Sequence, residues 1–484
     1  MSQLIYDKSV PGRRGITLPS LTTAEAALHL RIPEKYLAVE LPELPEVSEL
    51  EVVRHYTNLS TQNFSVDANF YPLGSCTMKY NPKVCEKVAA LDGFLALHPL
   101  LPQLRGGGML TQGALQVLHD LEELLCEIAG MQAFSLQPMA GAHGELTGIM
   151  LIAAYHRARG NRKNKVLIPD SAHGTNPSSA AIAGYEVVTV PSGPDGCMDM
   201  AKFKEALDDE VAAVMLTGPN TLGIFNKHVH EIADLAHARD ALLYYDGANL
   251  NALLGHCRPG DLGFDVMHIN LHKTFATPHG GGGPGAGPVG VKAKLIPFLP
   301  TSIVEKRPDG TLTLRYESEK TIGFIAPFYG NFGVLLKAYT YILLLGGNGL
   351  KRVSENAVLN ANYIRKKLSA YYDMPFNRNC MHECVLSAER QAKRGVRALD
   401  IAKALIDRGI HPPTIYFPMI VHEAMMIEPT ETESKEELDR FIAAMIEIAQ
   451  LAESNPSAFA AMPIKTSVSR LDETKAARDM HVTA

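Results

Sequence analysis

Between about residue 130 and residue 292 the sequence alternates short, wholly apolar runs with amphipathic stretches, and that alternation restricts the chain more than any other feature. The runs are VLIP (166–169), VVTV (187–190), AAVML (212–216), LLYYD (242–246), VMHIN (266–270) and VGVK (289–292). A strand that is apolar on both faces must be covered on both faces, which a mostly parallel sheet flanked by helices supplies. The expected class is therefore α/β. Just upstream, GALQVLHDLEELLCEIAG has a helical period and stops at Gly130.

Outside that block the pattern changes. From residue 1 to about 90 the chain is punctuated by Pro11, Pro19, Pro33, Pro42, Pro45, Pro72 and Pro82 around short helical stretches such as 46–58, which reads as an N-terminal arm. After about 330 a long helix (331–346, then 349–371), short strands near 383–387 and 415–420, and a charged helix over 434–453 predict a second, smaller α/β domain. The expected organisation is an arm over 1–90, a large domain over 91–330 and a small domain over 331–484.

Composition removes several function classes. Lys+Arg of 46 against Asp+Glu of 52 gives a net charge of −6 with no long block of one sign, which argues against a nucleic-acid binder. The longest apolar run, at 342–347, is far below the roughly 20 residues of a membrane span. Seven cysteines, an odd number scattered along the chain, suit a reducing compartment. The start MSQLIYDKSVPGRRG lacks the apolar core of a signal peptide, so the cytoplasm is expected.

In an open parallel sheet, ligands bind beyond the carboxyl ends of the strands, so the loops there carry the chemistry. They collect His173, Asn220, Thr221, Asp246, His272 and Lys273 on one edge. A lysine enclosed by apolar walls becomes nucleophilic toward a carbonyl cofactor, which is one reading of Lys273; a surface lysine is the other. Asp246, 27 residues earlier at the end of a buried strand, could keep a pyridine nitrogen protonated or serve as a turn residue. In QPMAGAHGELTGIM (137–150), Gly141, Ala142 and Gly144 open a helix whose free N–H groups could meet a phosphate. His173 could stack on a planar ring, and Thr221 and His272 could add phosphate hydrogen bonds. The run from Gly280 to Gly290 contains a nominal G-x-G-x-x-G, but Pro284 and Pro288 forbid the helix a dinucleotide site needs. Cys380, His382, Glu383 and Cys384 lack a second paired motif, so no metal is expected.

The strings YPLGSCTMKYNP, DSAHGTNPSSA, PNTLGIF, YYDGANLNA and INLHKTFATPHGGGGPGAGPVG, with FYGNFGVL (328–335) and HPPTIYFPMIVHEAMMIEPTETESKEELD (411–439), closely resemble the P-protein family of the glycine cleavage system, from about residue 54 to 475. The resemblance implies a pyridoxal 5'-phosphate enzyme of transferase fold type I and, from the chain's length, the cofactor-bearing half of a split P-protein. Lys273 would form the Schiff base, Asp246 would pair with the pyridine nitrogen, and His173 would stack on the ring as a second catalytic group. Ala142, His143, Thr221 and His272 would hold the phosphate. The implied reaction decarboxylates glycine and passes the aminomethyl group to the lipoyl arm of the H-protein, in a heterotetrameric assembly with subunit 1. Residues 98–113, and Phe324 with Ile325, depart from the family pattern. Another fold type I enzyme, such as an aminotransferase or a different decarboxylase, and a non-catalytic scaffold half remain as alternatives; Lys273 and Asp246 together argue against the scaffold.

Overall fold

The computed structural model describes residues 3–17, 19, 32–40, 43–98, 100–103 and 107–480. Pro42 and the residues 99 and 104–106 within the atypical 98–113 stretch lie outside the described residues. Two compact units meet in sequence between Ala68 and Asn69, inside the stretch read as an arm. In the first unit, helix α1 (Glu49–Ser60) begins with a reciprocal cap: the Ser48 hydroxyl accepts the Glu51 N–H and the Glu51 carboxylate accepts the Ser48 N–H. Such a cap contributes about 1 kcal/mol and fixes where the helix starts.

The second unit is built on a seven-stranded sheet. Helix α2 (Gln112–Ala129) runs to Gly130, whose φ of 69° is the left-handed stop that glycine adopts without strain. The strands are β1 (Ala133–Ser135), β2 (Lys165–Pro169), β3 (Glu186–Val190), β4 (Val211–Thr217), β5 (Leu242–Gly247), β6 (Val266–Ile269) and β7 (Val289–Val291), in the order β1-β7-β6-β5-β4-β2-β3. All six runs read from the sequence form strands. β2 through β6 pair in parallel, whereas β7 runs antiparallel to β6 and β1. Successive residues feed two separate cores: Leu243, Tyr245 and Met267 face one, Leu242, Tyr244 and Val266 the other. Apolar residues at every position of these strands thus follow from burial on both faces.

Helix α3 (Gly141–Ala158) lies on the Tyr244 face and needs a stripe without side chains to do so. A Cβ at Gly141 would fall 2.1 Å from Asn270 Oδ1, one at Gly144 2.6 Å from the Gly287 carbonyl, and one at Gly148 2.4 Å from Tyr244 Cε2. The spacing of three and four residues puts all three on one helical face. Gly148→Val should therefore destabilise the chain by about 1–3 kcal/mol through overpacking, read as a lower urea midpoint. An unchanged midpoint would mean that the helix can move away from Tyr244. Helix α4 (Thr175–Ile182) follows β2 and helix α5 (Val229–Ala238) follows β4. The chain goes from β2 outward to β3, then returns to β4 on the other side of β2, so the order reverses there and leaves a crevice at the carboxyl ends.

A hairpin, β8 (Ile303–Lys306) with β9 (Leu312–Arg315), precedes the long helix α6 (Phe332–Leu368), which is interrupted at Gly346 (φ 59°, ψ −179°). The C-terminal part holds α7 (Ala398–Ile406), α8 (Lys435–Ser454) and an antiparallel sheet of β10 (Cys384–Ser387), β12 (Ala424–Ile427) and β11 (Thr414–Ile415). Leu386, Ile401, Leu405, Met425, Phe441 and Met445 form its core. The strand expected over 415–420 stops early because Tyr416 turns to φ 59° and Pro418 follows. Cys380 and Cys384 belong to this apolar core, and all seven cysteines are free. Among the described residues no helix is long and apolar enough to cross a membrane.

Candidate active site

The carboxyl ends of β2, β4, β5 and β6 open on a cavity of about 220 Å³. Lys273, Asp246, His173, Ala142, Thr221 and His272 all line it, drawn from five separate loops. His143 does not: its Nδ1 accepts the Met139 N–H at 3.2 Å, because on helix α3 it points a quarter-turn away from Ala142.

Lys273 follows β6 in the turn Leu271–Thr274 and is only 9% exposed. Its loop is held from behind by the YPLGSCTMKYNP segment. Lys79 Nζ donates to the Thr274 carbonyl (3.0 Å) and to Glu431 Oε1 (2.7 Å), and Asn81 Nδ2 donates to the Ala276 carbonyl (2.8 Å). The same segment is fixed to the C-terminal sheet: the Ser75 N–H donates to Glu383 and the Thr77 N–H to Glu428, each at 2.9 Å. His382, Glu383 and Glu428 form a buried group there whose ligand atoms lie within 4.8 Å of one another, and Glu383 and Glu428 accept the two N–H bonds of this clamp. Cys76, beside it, has its thiol pushed up to about 11 by burial, with the charge of Lys273 working against that shift.

Asp246 ends β5 and is buried. Its Oδ2 accepts from Asn176 Nδ2 (3.0 Å) and Thr217 Oγ1 (3.2 Å), its Oδ1 accepts the Ala248 N–H (3.0 Å), and His268 Nε2 lies 3.3 Å from Oδ1. Burial opposes its charge, yet His268, Asn176, the Ala248 N–H and Lys273 together hold the carboxyl below its ordinary value. It is thus an anion able to keep a facing ring nitrogen protonated.

At the opposite wall, helix α3 starts after Ala140 with no side chain capping it, so its first N–H groups and positive dipole end face the cavity at Gly141 and Ala142. The Thr221 hydroxyl donates its one proton to the Ser171 carbonyl at 2.5 Å, so it must turn from that carbonyl before it can donate to a phosphate. Burial, with the neighbouring His279, Lys273 and His268, pushes His272 down to about 3, so on its own that ring is neutral. Asn249 Oδ1 and Asn270 Oδ1, both buried in the cavity lining, have no protein partner. An anion-accepting helix end, an amine, a buried carboxylate and spare polar groups converge, which fits a phosphorylated, carbonyl-bearing pyridine such as pyridoxal phosphate.

Contributors not read from the sequence include Glu145, Thr175, Asn176 and Thr217, besides Ser75, Asn249 and Asn270 in the lining. Glu145 is 5% exposed on α3, with Thr175 Oγ1 2.8 Å from its Oε1 and Asn176 Nδ2 donating to its Oε2 at 3.0 Å. The signal was present, since Glu145 is the one acidic residue in GAHGELTGIMLIAAY. His173 Nδ1 lies 2.9 Å from Thr175 Oγ1, and its ring meets Phe417 edge-on at 5.8 Å. The atypical stretch lies elsewhere: His98, Pro102 and Thr111 line a separate apolar cavity of about 360 Å³ with Phe328, Tyr329 and Phe332. Phe324 is exposed, at 63%.

Comparison with known proteins agrees with this geometry. Residues 19–315 match the family model described as Glycine cleavage system P-protein, and residues 353–465 match that of the Glycine dehydrogenase C-terminal domain. A probable glycine dehydrogenase (decarboxylating) subunit 2 from Listeria welshimeri is 56% identical over 98% of this chain and 96% of its own length. The protein of that description from Bacillus licheniformis is 57% identical over 98% and 97%. The crystal structure of a glycine decarboxylase (P-protein) in inhibitor-bound form superposes with a TM-score of 0.74 at 21% identity, covering 90% of this chain and 100% of that one. A sphingosine-1-phosphate lyase from Burkholderia pseudomallei gives 0.61 at 15%, covering 88% and 96%. At these identities the superpositions show a shared fold.

Proposed function

Because the chain belongs to the glycine cleavage system P-protein family, we propose that it is the pyridoxal-phosphate-bearing subunit of a split P-protein, which decarboxylates glycine and passes its aminomethyl carbon to a lipoyl disulfide. One observation carries the reading: Lys273 and Asp246 share one cavity with the uncapped start of helix α3 opposite them. When bound there, pyridoxal phosphate supplies an electron sink for the pair left by the departing carboxylate.

The chain's own groups then have separable tasks. Lys273 Nζ would hold the aldehyde carbon and, when freed by the substrate amine, would hold or move a proton beside the reacting carbon. Asp246 would keep the ring nitrogen protonated, and His173 would cover the ring face. The N–H groups of Gly141 and Ala142, with His272 and with the Thr221 hydroxyl once it turns from Ser171, would receive the phosphate; His143 supports the cradle from outside the cavity. In the net reaction glycine loses carbon dioxide and its α-carbon bonds to one lipoyl sulfur. The S–S bond breaks, and the other sulfur takes the proton. The carrier is the lipoylated H-protein, the partner chain is subunit 1, and seven free cysteines support a cytoplasmic setting.

Release of labelled carbon dioxide from carboxyl-labelled glycine tests this. It is expected when the chain, pyridoxal phosphate, the candidate subunit 1 and a lipoylated carrier are combined, and to fall to background when either protein partner is left out. Amino transfer to a 2-oxo acid without carbon dioxide, or release indifferent to the carrier, would overturn the assignment in favour of another fold type I enzyme.

A further inference from the structure

Two carboxyl groups stand side by side in the cavity wall, bridged by the amide of Asn176. An oxygen of Glu145, an oxygen of Asp246 and a ring nitrogen of His268 lie within 4.8 Å of one another, and all three residues are buried. Asn176 spends one amide proton on each carboxyl group, on Glu145 Oε2 and on Asp246 Oδ2, at 3.0 Å each. Two anions this close in a low-dielectric wall repel strongly, so one of them must carry a proton. Asp246 has the further donors Thr217 Oγ1 and the Ala248 N–H, which suit an anion.

The chain of contacts beyond Glu145 says where its proton points. The Thr175 N–H lies 3.3 Å from His173 Nδ1 and can only donate, so Nδ1 must be the acceptor and bear no hydrogen. The Thr175 hydroxyl, 2.9 Å from the same nitrogen, then donates to it. That leaves the Thr175 oxygen to accept from Glu145 Oε1, 2.8 Å away. An ionised Glu145 would instead take the hydroxyl proton, leave Nδ1 only the longer Thr175 N–H, and free the Thr175 oxygen to accept from the other tautomer.

We propose that Glu145 is a positioning residue whose carboxylic acid, acting through the Thr175 hydroxyl, holds His173 in the tautomer with its proton on Nε2. Its importance for catalysis rests on the reading of His173 as the ring over the cofactor. The relay itself is a property of the chain with or without cofactor. Burial first, and then the charge of Asp246, raise Glu145 to about 7 against Asn176, Thr175 and Lys273. The titratable groups facing it are Asp246 and Tyr244 from β5, His268 from β6, Lys273 beyond β6 and His173 ahead of α4. The relay is therefore closed below about neutral pH and released above it, as Glu145 gives up its proton.

Histidine-¹⁵N-labelled full chain, with and without pyridoxal phosphate, provides the test, because long-range ¹H–¹⁵N correlations report which ring nitrogen is protonated. The His173 signal is identified by its loss in His173→Asn. At about pH 6 wild type should show the proton on Nε2, and at about pH 8.5 that preference should weaken. In Glu145→Gln the amide N–H donates to Thr175 permanently, so the Nε2 proton should persist at both pH values. Glu145→Ala leaves only the longer Thr175 N–H contact on Nδ1, so the preference should be weaker than in wild type at about pH 6 and should not change between the two pH values. A hydrogen on Nδ1 at the lower pH, or the same pH profile in wild type and Glu145→Gln, would overturn the proposal. Because the cofactor-free chain already gives the answer, failure here is distinct from failure of the glycine assay.

Discussion

Lys273→Ala is expected to abolish borohydride-stable attachment of pyridoxal phosphate to the chain and to cut glycine turnover on the order of 10³-fold or more, with the fold retained. The loss follows from placement: among the described residues no other lysine lines the cavity, and Lys79, the buried lysine behind its loop, is committed to Glu431 and the Thr274 carbonyl. Although burial disfavours its charge, Glu431 and Tyr341 raise Lys79 above the ordinary lysine value, so it cannot substitute as a nucleophile. Retained folding follows as well. The clamp on the loop runs through the carbonyls of Thr274 and Ala276, which the substitution leaves in place. Borohydride trapping, glycine turnover and the urea midpoint measured on one preparation decide the matter. Decarboxylation at the normal rate would remove Lys273 from the mechanism.

What the sequence revealed follows from the period and length of its elements. Strands buried on both faces announce themselves as apolar runs, so β2 to β7 and the loops at their ends could be read, and with them Lys273 and Asp246. β1 (AFS) is broken by its own Ser135 and flanked by Gln132 and Gln137, so it does not read as an apolar run, whereas β12 (AMMI) is as apolar as β6 and was passed over. The His143 reading failed to reach the cavity for a helical reason, since residues 142 and 145 face it together while 143 turns aside. Glu145 was passed over because an acidic residue in a helix is ordinarily solvated. The glycine stripe that brings α3 against Tyr244 is also what buries Glu145. Lys79 and Asn81 each lie 195 residues from the carbonyl they brace, a distance over which a single sequence carries no pairing signal.

Asp246→Asn should leave the cofactor bound and reduce glycine turnover about 10²- to 10³-fold, the size typical of losing one preorganised electrostatic partner of a developing charge. The neutral amide cannot keep the facing ring nitrogen protonated, so the electron pair freed at the α-carbon has a poorer sink. The fold should suffer too. Asn176 Nδ2, Thr217 Oγ1 and the Ala248 N–H all donate toward this carboxylate, and an amide turns its own N–H₂ toward one of those donors. An unpaired buried donor costs about 1–3 kcal/mol, visible as a lower unfolding midpoint. A third consequence separates this substitution from a merely structural one. Burial is the largest cause of the raised Glu145 value and the charge of Asp246 the next, so removing that charge should shift the pH at which Glu145 ionises downward while leaving it above an ordinary glutamate. The His173 tautomer change in Asp246→Asn should then occur at lower pH than in wild type. If turnover drops but that transition does not move, Asp246 and Glu145 are not electrostatically linked; if turnover is unchanged, the ring nitrogen takes its proton from another group.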